Sequence, residues 1–285
     1  MDNIQTLQLK QQGTGWIQDS VDERDKSYYI EVLNELPKSV DLRKWCSPIK
    51  HQGKIQSCTA NAAVALVEYY QRQASGKDLD LSRLFLYKAT RNLLHWTGDK
   101  GANPRTTMKA LALFGTPPEE YCPYDEAKFD EEPPAFCYAF ASNYQALEYY
   151  RVDIKGRTRD VVLQQIKANL AANRPLMFGA LLYHSSLEQS TTTGMIPLPI
   201  ASEPLYGGHV MVAVGYDDDI KIKNTDPTGV ETTGAILIRN SWGTEWGDKG
   251  YGWLPYEYVL RTLSYDWWTL LKNEWLDTGK FEAKK

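Results

Sequence analysis

The sequence predicts an α+β protein of two lobes, a helical one followed by a β-rich one. Three observations carry this. Between residues 58 and 114 the apolar residues recur at helical spacing. After about residue 145 they fall into short apolar or alternating runs (ALEYYRV, PLMFGALLY, HVMVAVGY, AILIRN, GYGWL and DWWTLL), separated by Gly, Asp and Pro. A chain of 285 residues, 42% of them hydrophobic, is also long enough to build a full core without metals or disulfides. Helices and strands segregated along the chain pack as separate layers or lobes, and a cleft between lobes is a common place for a site. The expected divisions are a leader over 1–37, a helical lobe over 38–145 and a β-rich lobe over 146–285.

The elements follow in order. Residues 1–37 are polar and charged, with Trp16, Ile17, Tyr28, Tyr29 and Ile30 as apolar anchors, and read as a leader draped over the body. Pro37 and Pro48 bracket an extended segment. A first helix opens at Cys58, places Ala62, Ala65, Leu66, Tyr69 and Tyr70 on one face, and stops near Gly76. Ser82 is a natural N-cap for a second helix through LFLYKATRNLLHW. A third runs from Arg105 to Phe114 and ends at Gly115. The acidic, proline-rich stretch PPEEYCPYDEAKFDEEPP is a surface connection. One further helix is expected from Asp160 to Ala172. The connection over residues 185–208 is long enough to fold over a cleft.

Composition excludes several classes. The net charge is −4 and no lysine- or arginine-rich stripe exists, which argues against nucleic acid as a partner. No apolar run approaches the roughly 18 residues of a membrane span. The start, MDNIQTLQLKQQGTGW, lacks the apolar core of a secretory signal. Four cysteines do not make a disulfide framework, so a reducing compartment, the cytoplasm, is expected. An unpaired cysteine is then free to be a nucleophile.

A nucleophile needs an activating base within hydrogen-bond reach. Of Cys46, Cys58, Cys122 and Cys137, only Cys58 opens a helix, where the positive end of the dipole favours a thiolate. Of His51, His95, His184 and His209, only His209 follows two glycines and opens an apolar strand, at a mouth with room for a ligand. Asn240 ends the strand AILIRN, and its side-chain oxygen can fix an imidazole's orientation and tautomer. Gln52, six residues before Cys58, can donate to a developing oxyanion together with the Cys58 N–H. Singly, each of these residues has an ordinary structural reading.

Their order and spacing resemble the papain-like cysteine peptidases. That family carries a cysteine near the mature N-terminus with His and Asn roughly 130–150 residues on; here the intervals are 151 and 182 residues. Four pieces recur in family order: VDLRKWCSPIKHQG with Gln52, the helix from Cys58, GGHVMVAVGYDDD with His209, and RNSWGTEWGDKGYGW with Asn240. The resemblance implies a two-lobed papain-like fold, a helical left lobe and a β-barrel-like right lobe with the cleft between them. It implies Cys58 as nucleophile, His209 as base and then acid, Asn240 as orienting residue and Gln52 as oxyanion donor. Trp242 would shield the His–Asn hydrogen bond from water. Gly101 and Ala102 would form a ledge that pairs antiparallel with a substrate backbone. Pro104, Gly179 and Val210 would line an apolar pocket for the side chain one residue upstream of the cleaved residue.

The chain also departs from the family. The usual C-G-S-C-W around the nucleophile is Ile55-Gln56-Ser57-Cys58-Thr59, and Asp99 stands where the first cysteine's usual partner would be. Both halves of one family disulfide are thus missing together. The leader is shorter than the family's helical propeptide and is expected to be a short prosegment, an inhibitory strap or a permanent part of the body. The implied reaction is hydrolysis of a peptide or protein substrate through a thioester, with no metal or organic cofactor. The alternatives on the same fold are acyl transfer to an amine or thiol, and a catalytically silent peptide-binding module.

Overall fold

The computed structural model describes residues 14–31 and 35–273. The remainder of the leader, residues 1–13 and 32–34, and the end of the β-rich lobe, residues 274–285, lie outside the described residues. Helix α1 spans Cys58–Ser75, α2 Arg83–Leu93, α3 Pro104–Leu113, α4 Ala135–Ala141, α5 Arg159–Ala171, α6 His184–Thr193 and α7 Glu257–Leu260. The strands are β1 Ser39–Asp41, β2 Ala146–Arg151, β3 Leu176–Tyr183, β4 Leu205–Lys223, β5 Glu231–Arg239, β6 Tyr251–Pro255 and β7 Ser264–Asn273.

Local chemistry sets the helix ends. Gly76 closes α1 at φ 69°, a left-handed turn that suits glycine. The Ser82 side chain accepts the Phe85 N–H at the start of α2, and Asn103 accepts the Thr106 N–H at the start of α3, with Pro104 at the first turn. The second helix is shorter than its apolar pattern: it ends at Leu93, His95 turns to φ 55°, and the Trp96 N–H folds back onto the Arg91 carbonyl at 2.9 Å. The long connection after His184 is tied to β6 by the Met195–Trp253 bridge and the Ile196 N–H on the Trp253 carbonyl at 2.9 Å. It begins as α6, whose serines and threonines carry no apolar periodicity, and then buries Ile196 and Leu198 in the core.

The strands form one antiparallel sheet in the order β2-β7-β3-β4-β5-β6, with β1 added on β4. In the β3–β4 register Gly179 faces Val210 and Ala180 faces His209. Helix α1 is buried on every side from Cys58 to Tyr69 and packs against α2, α3 and the sheet strands β3, β4 and β7. A helix buried all round sits at the centre of a protein, and its alanines let those neighbours approach closely. Its buried Glu68 collects the Ser47 hydroxyl at 2.5 Å, Lys50 Nζ at 2.6 Å and the Leu81 N–H at 3.0 Å. Arg239 on β5 donates to the Ser47 and Pro48 carbonyls at 2.6 and 2.8 Å. The segment leading to Gln52 is thereby held from both the helices and the sheet.

Candidate active site

The residues singled out from the sequence meet where the start of α1 faces β4 and the end of β5. Cys58 is the first residue of α1 and has no solvent exposure; His209 on β4 has none either. Asn240 Oδ1 lies 2.8 Å from His209 Nε2 and also accepts the Ser241 N–H at 2.8 Å. An oxygen already accepting a backbone N–H must face the ring as an acceptor, so Nε2 is the protonated nitrogen. Nδ1 is left to the other side and has no hydrogen-bond partner among the described residues. The Trp242 ring stacks on His209 at 4.5 Å and 25° and covers this pair, and Trp246 meets Trp242 edge-on at 6.0 Å.

Burial governs the charge state. It pushes the Cys58 thiol up to about 12, against the pull of the Val210, Thr59 and Cys58 backbone N–H groups. It also drops His209 to about 4, against the Asn240 hydrogen bond. Both shifts favour the uncharged forms, thiol and imidazole.

Gln52 reaches the site from the loop before α1. Its Oε1 accepts the Ser241 hydroxyl at 2.7 Å, its Nε2 donates to the Ile55 carbonyl at 3.0 Å, and its N–H bonds the Ser241 carbonyl at 2.8 Å. Tyr124, in the acidic connection, was not visible as a site residue from sequence. Its hydroxyl donates to the Gln52 carbonyl at 2.7 Å and accepts from the Ser57 hydroxyl at 2.6 Å. The Arg83 guanidinium lies over its ring at 4.0 Å.

The leader runs through the cleft. The Gly15 and Trp16 N–H groups point at the Gly208 carbonyl at 3.3 and 3.2 Å. Ala102 donates to the Gly15 carbonyl at 3.0 Å and accepts the Ile17 N–H at 3.1 Å. This ladder is parallel. Close approach demands the glycines: a Cβ on Gly101 would sit 2.2 Å from the Gly15 oxygen, and one on Gly15 2.4 Å from the Gln56 oxygen. The Trp16 indole then lies against Gly179 and Gly208, where a Cβ would meet it at 2.1 and 2.6 Å. Gly179 therefore lines the space that Trp16 fills. Val210 is buried as its register neighbour, Pro104 serves to open α3, and Gly208, one of the two glycines expected to leave room at the mouth of β4, is a second wall. The space that Trp16 fills is not wholly apolar. Its far end is the buried carboxylate of Asp266, whose Oδ2 accepts Trp16 Nε1 at 2.9 Å.

Beyond the cleft the leader stays bound. Asp19 accepts the Arg105 N–H at 3.0 Å and Trp268 Nε1 at 2.8 Å, and Asp25 pairs with Arg105 at 2.7 and 2.6 Å. Ile30 exchanges two hydrogen bonds with the Gln165 side chain. All four cysteines are free thiols, and no described helix is long and apolar enough to cross a membrane.

Comparison with known proteins gives the family. Residues 36–259 match the family described as "Papain family cysteine protease". An uncharacterized peptidase C1-like protein of Acanthamoeba polyphaga mimivirus is 32% identical over 250 residues, 86% of this chain and 76% of that protein. Procathepsin L of Mus musculus is 31% identical over 227 residues, and the chain spans only 60% of its length. The crystal structure of xylellain, a cysteine protease from Xylella fastidiosa, superposes with a TM-score of 0.77 at 34% identity, covering 91% of this chain and 96% of that one.

Proposed function

Since the chain belongs to the papain family of cysteine proteases, a family of hydrolases, we propose that it cleaves peptide bonds through a thioester on Cys58 and that its leader holds the site closed. The observation that carries the first part is the imidazole of His209. Asn240 fixes it by Nε2 and leaves Nδ1 without a partner among the described residues, while the backbone of the next residue, Val210, hydrogen-bonds Cys58. With the cleft open and hydrated, proton transfer from thiol to Nδ1 gives the thiolate–imidazolium pair, favoured by the N-terminus of α1.

The thiolate attacks the carbonyl carbon, and the C–S bond forms as the carbonyl π pair moves to oxygen. The Cys58 N–H and the Gln52 amide stabilise that oxyanion. The imidazolium gives its proton to the leaving nitrogen as the C–N bond breaks. His209, neutral again, takes a proton from water, whose oxygen attacks the thioester. The acid is released and the thiol restored.

The leader supports the second part. It occupies the ledge at Ala102 in parallel, the reverse of the antiparallel pairing expected of substrate, so it fills the cleft without offering a bond in the cleavable direction. The relative named procathepsin L is, by its name, a pro-form.

The test is treatment of the reduced full chain and its Trp16→Ala variant with a peptidyl epoxide, read by intact mass and peptide mapping, with Cys58→Ala as control. One adduct at Cys58, formed faster in the variant and absent from the control, is expected. No adduct in either chain overturns the peptidase reading; equal rates overturn the role of the leader.

A further inference from the structure

We propose that Asp99 is a positioning residue for the reaction: its carboxylate fixes the peptide group on which the Gln52 amide rests and, through Tyr87, the ledge at Gly101 and Ala102. This rests on the peptidase reading above and concerns what holds that site in shape.

The peptide unit between Ile55 and Gln56 is held on both edges. Its carbonyl accepts Gln52 Nε2 at 3.0 Å, and its N–H donates to Asp99 Oδ1 at 2.9 Å. A peptide group is planar, with its C=O and N–H on opposite edges. Fixing the N–H therefore fixes where the carbonyl points, and the carbonyl anchors the Gln52 amide. That amide nitrogen carries two hydrogens in one plane, so anchoring one sets the direction of the other, the proposed oxyanion donor. A second contact backs the first: Gln56 Nε2 donates to the Asp99 carbonyl at 2.7 Å. Gln56 stands two residues before Cys58, so the chain that carries the second donor, the Cys58 N–H, leaves from the same anchor.

The same carboxylate oxygen reaches the ledge. Asp99 Oδ1 also accepts the hydroxyl of Tyr87, a buried residue of α2, at 2.6 Å. That hydroxyl in turn accepts the Gly101 N–H at 3.1 Å. The next residue, Ala102, supplies the N–H and the carbonyl that hold the leader. The loop before Cys58, helix α2 and the ledge thus meet on one oxygen. Ile55 and Asp99 stand at the two positions where the family's usual pattern has a pair of bonded cysteines. Here hydrogen bonds to one carboxylate join loop and ledge, and a reductant leaves them intact.

The acceptor and the charge of this carboxylate act in opposite senses. Burial is the main cause that pushes the Cys58 thiol up, and the Asp99 charge adds to it. A negative group near a nucleophilic thiol opposes the thiolate, so the charge works against the reaction while the acceptor works for it. Asparagine keeps an acceptor oxygen and drops the charge; alanine drops both.

The test uses the reduced full chain carrying Trp16→Ala, so that the leader's hold on the ledge is weakened equally in every sample. Asp99→Ala, Asp99→Asn and Tyr87→Phe are added singly. The readouts are kcat and KM on a fluorogenic peptide, iodoacetamide labelling of Cys58 at pH 7, and Tm. Asp99→Ala is expected to lose turnover by about tenfold or more with labelling not slowed, since alkylation uses neither the oxyanion donors nor the ledge. Asp99→Asn is expected to keep turnover within about twofold and to label faster. Tyr87→Phe is expected to raise KM by about threefold or more with kcat nearly unchanged. Unchanged turnover in Asp99→Ala overturns the inference, as does a loss in Asp99→Asn equal to that in Asp99→Ala. Turnover and labelling that fall together in Asp99→Ala mark a general distortion and overturn it too. If Asp99→Ala does not fold, a tenfold loss in Asp99→Asn or an unchanged KM in Tyr87→Phe overturns it. A Trp16→Ala chain that neither cleaves peptide nor takes up the epoxide overturns instead the peptidase reading beneath it.

Discussion

The Tyr124 hydroxyl hydrogen-bonds the Gln52 carbonyl at 2.7 Å and the Ser57 hydroxyl at 2.6 Å. One side chain thus braces both halves of the proposed oxyanion site, since Ser57 immediately precedes the Cys58 N–H. Tyr124→Phe keeps the ring under Arg83 and removes only the hydroxyl. Turnover is expected to fall about tenfold with KM nearly unchanged, as for loss of a group that acts mainly in the transition state. Steady-state kinetics check this, alongside the rate of epoxide alkylation, which needs the thiolate but no oxyanion and should not move.

Gln52→Ala removes a proposed donor itself. Turnover should drop by roughly 10²–10³, again with the alkylation rate of Cys58 preserved. An unchanged turnover would take Gln52 out of the mechanism.

The closed cleft holds Cys58 at about 12 and His209 at about 4. Both shifts favour the uncharged form, so at pH 7 the full chain should present a thiol that alkylates slowly. Trp16→Ala, by admitting water, lowers the desolvation penalty on both groups. The rate of iodoacetamide labelling at Cys58 should then rise at pH 7, and its pH midpoint should move down.

Asp266 makes stability pH-dependent. Its carboxyl is raised from 3.8 to about 7 by burial and then by the Asp19 charge, opposed by Arg151, with Asp153 adding to the rise. The folded chain therefore keeps a proton that the unfolded chain has already lost, and the associated stability disappears as pH rises through about 7. His209 acts in the opposite sense, but only between about 4 and its ordinary 6.5. Between about pH 6.5 and 8 the Asp266 effect stands alone of the two, and Tm should fall. Asp266→Asn should flatten that slope in a thermal melt.

Much of this was legible along the chain, and the reason is local. Ser82 and Asn103 are caps by virtue of their own oxygens, Gly76 and Gly115 by their freedom at φ 69° and 75°. These signals placed the first and third helices within a residue. The helix over 184–193 was hidden because HSSLEQSTTT has no apolar stripe. The cysteine, histidine, asparagine and glutamine were legible because their types and order are themselves the signal. Tyr124 and Asp266 were not. Each acts through a partner far away in sequence, 72 residues for Gln52 and 250 for Trp16, and no periodicity records such a meeting. The direction in which the leader crosses Ala102 is likewise a property of the folded cleft.

The two glycines that receive Trp16 have a meaning for how such an enzyme changes over generations. What the pocket admits is defined at Gly179 and Gly208 by atoms that are missing, Gly208 on β4 immediately before His209 and Gly179 on β3 opposite Val210. A single added methyl at either would shut out the widest side chains and unseat the leader at once, while the thiol, the imidazole and their orienting amide stayed where they are. Diet and latch are therefore inherited together, and a lineage that alters one must find a new way to keep the other.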